Sequence, residues 1–188
     1  KKREFLVRVD TVPLYLWVDV AKIESAVQNL LSNAFKYTSQ NGRIELAVSE
    51  AEIDGRPYCL VTVSDNGVGI PDDLQQHVFD SFVTGKRIPQ YSTSIGLGLH
   101  IVKHTMGLHH GFVTLTSRVG EGSRFVLHIP VGLSHFAPGE YEMVPDPMKG
   151  DLLEECPAEE RPMEEVVEEK NETMEEAVNR VKNNKEYL

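Results

Sequence analysis

Asn29, Asn33 and Lys36 are spaced four and three residues apart in the run Asn29-Leu30-Leu31-Ser32-Asn33-Ala34-Phe35-Lys36-Tyr37-Thr38. On a helix, at about 100° per residue, they project from nearly the same side. An amide oxygen is a neutral ligand for a hard divalent ion, and a lysine ammonium is a point charge for phosphate oxygens. Such a stripe can serve a polyphosphate. Ile23, Val27, Leu30, Leu31 and Ala34 fall on another side and give the same helix a core face. Asparagine inside a helix costs roughly 0.5 kcal/mol relative to alanine, so two on one stripe ask for a reason. The competing reading is a solvated polar face, and the helix alone leaves both open.

Two glycine-bearing segments follow. Ser64-Asp65-Asn66-Gly67-Val68-Gly69-Ile70-Pro71 comes after the apolar run Tyr58 to Val63, which reads as a strand. Ser94-Ile95-Gly96-Leu97-Gly98-Leu99-His100-Ile101-Val102-Lys103 opens an apolar-periodic helix. Gly67 and Gly69 allow close backbone approach and positive φ. Gly96 and Gly98 leave backbone N–H groups free at a helix start, where anions bind. Ordinary turns are the alternative for either pair taken alone. The sequence is neither a P-loop nor a dinucleotide fingerprint. Gly85-Lys86 would need Gly at position 80 and Ser or Thr at 87, where the chain has Asp80 and Arg87, and position 101 is Ile rather than Gly.

The order of these elements, with Val78-Phe79-Asp80-Ser81-Phe82 between the glycine boxes, resembles the ATP-binding catalytic domain of sensor histidine kinases, within the GHKL ATPase superfamily. The resemblance covers roughly residues 3 to 131. It implies an α+β fold, a two-layer sandwich with a mixed sheet of five or more strands covered on one face by about three helices. It implies ATP and magnesium as cofactors, with Asn33 as metal ligand and Asn33 and Lys36 as catalytic residues. Asp65 would accept a hydrogen bond from the adenine amino group, and Tyr37 would stack on or bond to the nucleoside. Asn29, Gly67, Gly69, Ile70, Gly96, Leu97, Gly98 and Leu99 complete the implied nucleotide site. Ser123, in Gly122-Ser123-Arg124-Phe125, takes the place of the family's threonine near the base. Lys86 and Arg87 fall in the segment of about 83–95 that corresponds to the family's ATP lid. Ser94 stands where the family often has glycine, and the lid is short.

ATPases of the superfamily carry a glutamate four residues before the magnesium asparagine, as a general base for water. That position is Asn29 here, and Glu24 lies nine residues before Asn33 on the wrong side of the helix. The resemblance therefore implies phosphoryl transfer to a histidine on a separate dimerisation domain, with slow hydrolysis. The seven histidines are 77, 100, 104, 109, 110, 128 and 135, and none has the family's acceptor context. His109-His110 reads as a surface or core-edge pair. The chain begins at Lys1 without a methionine, as an excised fragment would. The rival functions are a GHKL ATPase or serine kinase, and a non-catalytic docking module.

Charge divides the chain. Residues 1–138 hold 13 Lys/Arg and 13 Asp/Glu, while residues 139–188 hold 6 and 16, so the tail carries the whole formal charge of −10. A neutral first part and an acidic tail argue against nucleic acid. Cys59 and Cys156 have no spacing for a zinc site or disulfide framework, and no run approaches a membrane span. These observations, with the resemblance, imply the cytoplasmic part of a membrane-anchored sensor.

The expected elements are strands at 3–9 and 14–18, a helix from an Asp19 cap to Thr38, and strands at 43–50 and 57–64 around Asp54-Gly55. A short helix over 71–77, a helix over 96–108, and strands at 111–118 and 123–130 complete the domain 1–138. Residues 139–188 read as an acidic linker, dispensable for the fold. Met163, Val166, Val167, Met174, Ala177, Val178 and Val181 recur at helical spacing, so 163–182 reads as an amphipathic helix or as solvated linker. The tail resembles that of hybrid kinases, which implies that Lys185-Glu186-Tyr187-Leu188 leads toward a receiver domain and that partners are the phosphoacceptor domain and a receiver or response regulator.

Overall fold

The computed structural model describes residues 3–11, 14–80 and 97–141, and the backbone of 166–170. The expected lid, with Lys86, Arg87 and Gly96, lies outside the described residues, as does most of the tail.

The elements are β1 (Glu4–Asp10), α1 (Val20–Tyr37), β2 (Arg43–Ile53), β3 (Arg56–Asp65), α2 (Asp72–Gln75), α3 (Gly98–Leu108), β4 (Phe112–Arg118), β5 (Gly122–Pro130) and β6 (Val166–Lys170). The strands form one sheet in the order β4-β5-β3-β2-β1-β6. β1 pairs parallel with β2, and the other pairs are antiparallel, so the sheet is mixed as expected. Its strands β2 and β3 are joined by Asp54 and Gly55, both at positive φ, the tight hairpin that an Asp-Gly pair favours.

Alternation along the strands gives the sheet its apolar face. Ile44 and Leu46 on β2, Cys59 and Val63 on β3, and Phe125, Leu127 and Ile129 on β5 are all buried. Helix α1 lays Ile23, Ala26, Val27, Leu30, Leu31, Ala34 and Phe35 on that face, and α3 adds Val102 and Met106. Each fully buried Leu or Phe contributes about 1.5–3 kcal/mol relative to exposure. Phe79 meets Phe125 edge-on at 6.3 Å, which seats the segment after α2 on the sheet.

The start of α1 is doubly fixed. Asp19 accepts the Lys22 backbone N–H at 3.1 Å, the expected cap. Its own backbone N–H donates to His109 Nε2 at 2.9 Å. That ring nitrogen therefore carries no proton, and Nδ1–H donates to the Thr105 carbonyl at 2.8 Å. His109 is buried and ties the N-terminus of α1 to the C-terminus of α3, while His110 is exposed.

Three expectations need correction. Residues 14–18 form no strand: Leu16 makes a single parallel bridge to Gly132, while Leu14, Leu16 and Val18 pack against the core as an irregular connection. Their alternation reflected burial of one side, which a strand ladder shares. The domain also runs past residue 138. Glu140 accepts the Ala137 N–H and lies 3.2 Å from His110 Nε2, and Tyr141 meets the Trp17 ring at 5.9 Å. Finally, Val166–Lys170 is a strand and not part of a helix over 163–182. It pairs antiparallel with β1, Val9 opposite Val166 through Phe5 opposite Lys170. Adjacent β-branched valines and an otherwise open sheet edge favour that outcome over local helix.

Two predictions follow from this end of the fold. Tyr141→Ala should cost about 0.5–1.5 kcal/mol, the worth of an aromatic pair, and the cost should vanish in a Trp17→Ala background. Fully additive losses in melting experiments would show that the two rings do not interact. Both ring nitrogens of His135 are buried without a hydrogen-bond partner among the described residues. Burial first, then the neighbouring His110 and His109, hold its pKa below 6.5. The unfolded chain then binds the proton more tightly than the folded one, so stability is full above pH 6.5 and is lost as pH falls through the folded pKa. Replacing His135 by Phe should raise stability at pH 5 and flatten this decline. An unchanged slope of melting temperature against pH would contradict it.

Candidate nucleotide site

Helix α1 delivers the polar stripe. Asn29, Asn33, Lys36 and Tyr37 all lie on it and are half-buried, between the core face and solvent. Asn29 donates from its amide to the Ser25 carbonyl at 2.8 Å, which fixes its side chain along the helix. Its Oδ1 lies against Gly98, where a Cβ would sit 2.7 Å away. The first turn of α3 is therefore seated on the α1 stripe. The Lys36 ammonium stands 5.2 Å from the centre of the Tyr37 ring.

The end of β3 meets the end of α1 at a seam with no room for side chains. A Cβ on Gly67 would lie 2.5 Å from the Tyr37 carbonyl oxygen and 2.7 Å from Asp65 Oδ1. Val68 N–H donates to that same carbonyl at 3.3 Å, joining the two segments. On the other side, Gly122 has φ +110, and a Cβ there would collide with the Asp65 backbone carbonyl. Both glycines are required by close backbone approach, and Gly122 by its dihedral as well. Gly69 also has positive φ, beside the Arg118 carbonyl.

Asp65 sits where these segments converge. Its Oδ1 accepts the Gly67 N–H at 2.8 Å. Burial raises its pKa above the ordinary 3.8, while the backbone N–H groups of Gly67 and Ser123 and the nearby Thr38 hydroxyl pull it back. Burial outweighs these donors, so the ionised carboxylate costs more to hold here than at an exposed site. It is well suited to accept one more hydrogen bond.

Ser123 pairs with Asp65 across β3 and β5. Its hydroxyl lies 3.0 Å from that of Ser117, which donates to the Gly122 carbonyl at 2.8 Å and accepts the Ile70 N–H at 2.8 Å. Ser117 was not among the expected site residues. Alternation on β4 would have placed it on one face, but not in this bridge. The side chains of Ile70 and Leu99 pack against the core, so they support the site from behind. Leu97 is the N-cap of α3, and no side chain among the described residues caps that end. A helix N-terminus of this kind suits an anion.

Among the expected site residues, the structure sets Asn29 against Gly98, Lys36 beside Tyr37, and Tyr37, Asp65, Gly67 and Ser123 together where α1 and β3 end. Asn33 lies on the same helix as Asn29 and Lys36, Gly69 lies against Arg118, Ile70 and Leu99 pack on the core, and Leu97 caps α3. A cavity of about 500 Å³ beside Phe79, His100, Lys103 and Leu108 contains none of them. Among the described residues, no cluster of three His, Cys, Asp or Glu can hold a metal unaided. No helix among them is long and apolar enough to cross a membrane.

Comparison with known proteins agrees with this arrangement. Residues 18–133 match the family described as histidine kinase-, DNA gyrase B- and HSP90-like ATPase. The chain is 38% identical over 115 residues to the sensor histidine kinase TmoS of Ectopseudomonas mendocina, covering 61% of this chain and 12% of that protein. It is 33% identical over 134 residues to hybrid signal transduction histidine kinase D of Dictyostelium discoideum, covering 70% of this chain and 9% of that protein. The chain thus spans only about a tenth of the length of these relatives. Among solved structures, it is similar to the mycobacterial sensor histidine kinase MprB, with TM-score 0.57, 27% identity, and coverage of 69% of this chain and 82% of the other. Full-length ShkA in complex with AMPPNP is similar with TM-score 0.58 and 26% identity, over 69% of this chain and 26% of the other. The chain belongs to the histidine kinase-, DNA gyrase B- and HSP90-like ATPase family, in its histidine kinase branch.

Proposed function

We propose that this domain binds magnesium-ATP and donates its γ-phosphoryl group to a histidine on a separate dimerisation domain, in two-component signalling. The observation that carries the reading is the half-buried Asp65 carboxyl at the seam between the α1 stripe and the glycine segment after β3. Asp65 accepts from the adenine amine, Lys36 meets phosphate oxygens, and the N-terminus of α3 takes further phosphate charge. The neutral Asn33 oxygen suits magnesium, which keeps most of its waters and neutralises the phosphates when bound. Similarity to ShkA, described in complex with AMPPNP, supports the choice of nucleotide.

Transfer breaks the bond between the γ-phosphorus and the β-bridging oxygen and forms a phosphorus–nitrogen bond to the acceptor imidazole, leaving ADP. The domain contributes position and charge neutralisation. Asn29 cannot take a proton from water, so hydrolysis is slow and the ATPase alternative is disfavoured. We assign residues 139–188 to a connecting segment toward a receiver domain, with its first residues and 166–170 held on the catalytic domain. The parent is a membrane-anchored sensor whose catalytic part faces the cytoplasm.

Two outcomes test this reading. Asp65→Ala should weaken ADP binding by about 1–3 kcal/mol, the cost of leaving the adenine amine unpaired. Equal affinities by calorimetry would refute it. Residues 1–188 alone should turn over ATP slowly and keep no label from the γ-phosphate. Stable radiolabel on any of the seven histidines would contradict the assignment of the acceptor to another domain.

A further inference from the structure

Thr38 ends α1 and is 2% exposed. Nearly everything about it is fixed. Its backbone N–H donates to the Ala34 carbonyl at 3.0 Å, and its carbonyl accepts Arg3 Nε at 3.0 Å. Its methyl fills the space that a side chain at residue 42 would need, which is glycine. The hydroxyl is the exception. Thr38 Oγ1 is buried and has no hydrogen-bond partner among the described residues. A buried unpaired hydroxyl is costly, and valine would fill the same volume without it.

The Tyr37 carbonyl, which directly precedes Thr38, and Asp65 Oδ1 flank one point, 2.5 and 2.7 Å from where a Cβ on Gly67 would sit, so the end of α1 lies against the Asp65 carboxyl, and the Thr38 hydroxyl helps to draw its pKa down. A hydroxyl can donate to an ionised carboxylate, and an ionised carboxylate only accepts. An acceptor-only group matches the 6-amino group of adenine and repels the 6-oxo group of hypoxanthine or guanine. A protonated Asp65 loses this discrimination, because it can donate to the oxo group.

We infer that Thr38 is a specificity-determining, positioning residue: its hydroxyl holds Asp65 as the acceptor that selects a 6-amino purine over a 6-oxo purine. The inference rests on the proposed reading of Asp65 as the base-reading group. Thr38 acts through Asp65 and does not itself touch the base.

The test is calorimetric binding of ADP and of inosine diphosphate, which differs at position 6, to the wild type, Thr38→Val and Thr38→Ser. The wild type should prefer ADP. Thr38→Val should bind ADP about tenfold more weakly, the loss of roughly one hydrogen bond, with inosine diphosphate unchanged, so the preference narrows. Thr38→Ser should restore it. The nucleotide-free Thr38→Val domain should melt at or above the wild-type temperature, since an unpaired buried group is gone. A general structural role would instead lower melting and weaken both nucleotides equally. That result, an unchanged preference in Thr38→Val, or failure of Thr38→Ser to restore it, overturns the inference while leaving base reading by Asp65 intact. Equal wild-type affinity for the two nucleotides overturns both.

Discussion

The site depends on one steric constraint: three backbone segments meet around Asp65 with no space for a Cβ between them. Gly67 lies between the Tyr37 carbonyl and Asp65, and Gly122 lies on the Asp65 carbonyl from the β5 side. The C-terminal end of α1 is thereby locked to the end of β3, and the Asn29, Asn33 and Lys36 stripe is placed at a fixed distance from the carboxyl. A larger residue at either glycine must move backbone, because the atoms it would meet are carbonyls and not flexible side-chain ends. The core packing of Leu30, Leu31 and Phe35 holds the helix down on the sheet, and the glycine seam fixes its C-terminal end.

That seam stores a cost that a ligand can relieve. Asp65 is held partly out of water, and burial outweighs the donors that face it. Beside it Thr38 adds a buried hydroxyl with no hydrogen-bond partner among the described residues. An unsatisfied buried polar group is rare in a folded protein, and one beside a half-buried carboxylate marks a site where stability has been given up for recognition. His128 and His135 are buried less favourably than exposed histidines as well, but they lie at the other end of β5 and after it, where aromatic packing with Phe112 and Phe136 accounts for their burial.

Features set by local chemistry were readable from residue order. The Asp19 cap, the α1 core face, the Asp54-Gly55 hairpin and the first glycine box each leave a short-range mark, and each is where it was expected. What depends on distant partners left none. Residues 14–18 alternate like a strand but lack a neighbour to pair along their length. The Trp17–Tyr141 contact joins residues far apart in sequence, so charge counting placed the boundary too early. Apolar spacing in the tail suggested a helix or a solvated linker, whereas the edge of β1 takes Val166–Lys170 as a strand. Thr38 and Ser117 look like any other hydroxyls until Asp65 and Ile70 are brought beside them.

The central claim is that Asp65 is a half-buried acceptor whose hydrogen bonding a 6-amino purine completes. The direct measurement is the carboxyl carbon shift of Asp65 across a pH titration by NMR, with and without ADP. Without nucleotide, the carboxyl should titrate above the ordinary value of 3.8. With ADP bound, its midpoint should move down, because the amine's hydrogen bond favours the ionised form. Inorganic triphosphate, which carries no base, should leave it where it was. A midpoint that ADP leaves unmoved, or that triphosphate shifts equally, would contradict the account.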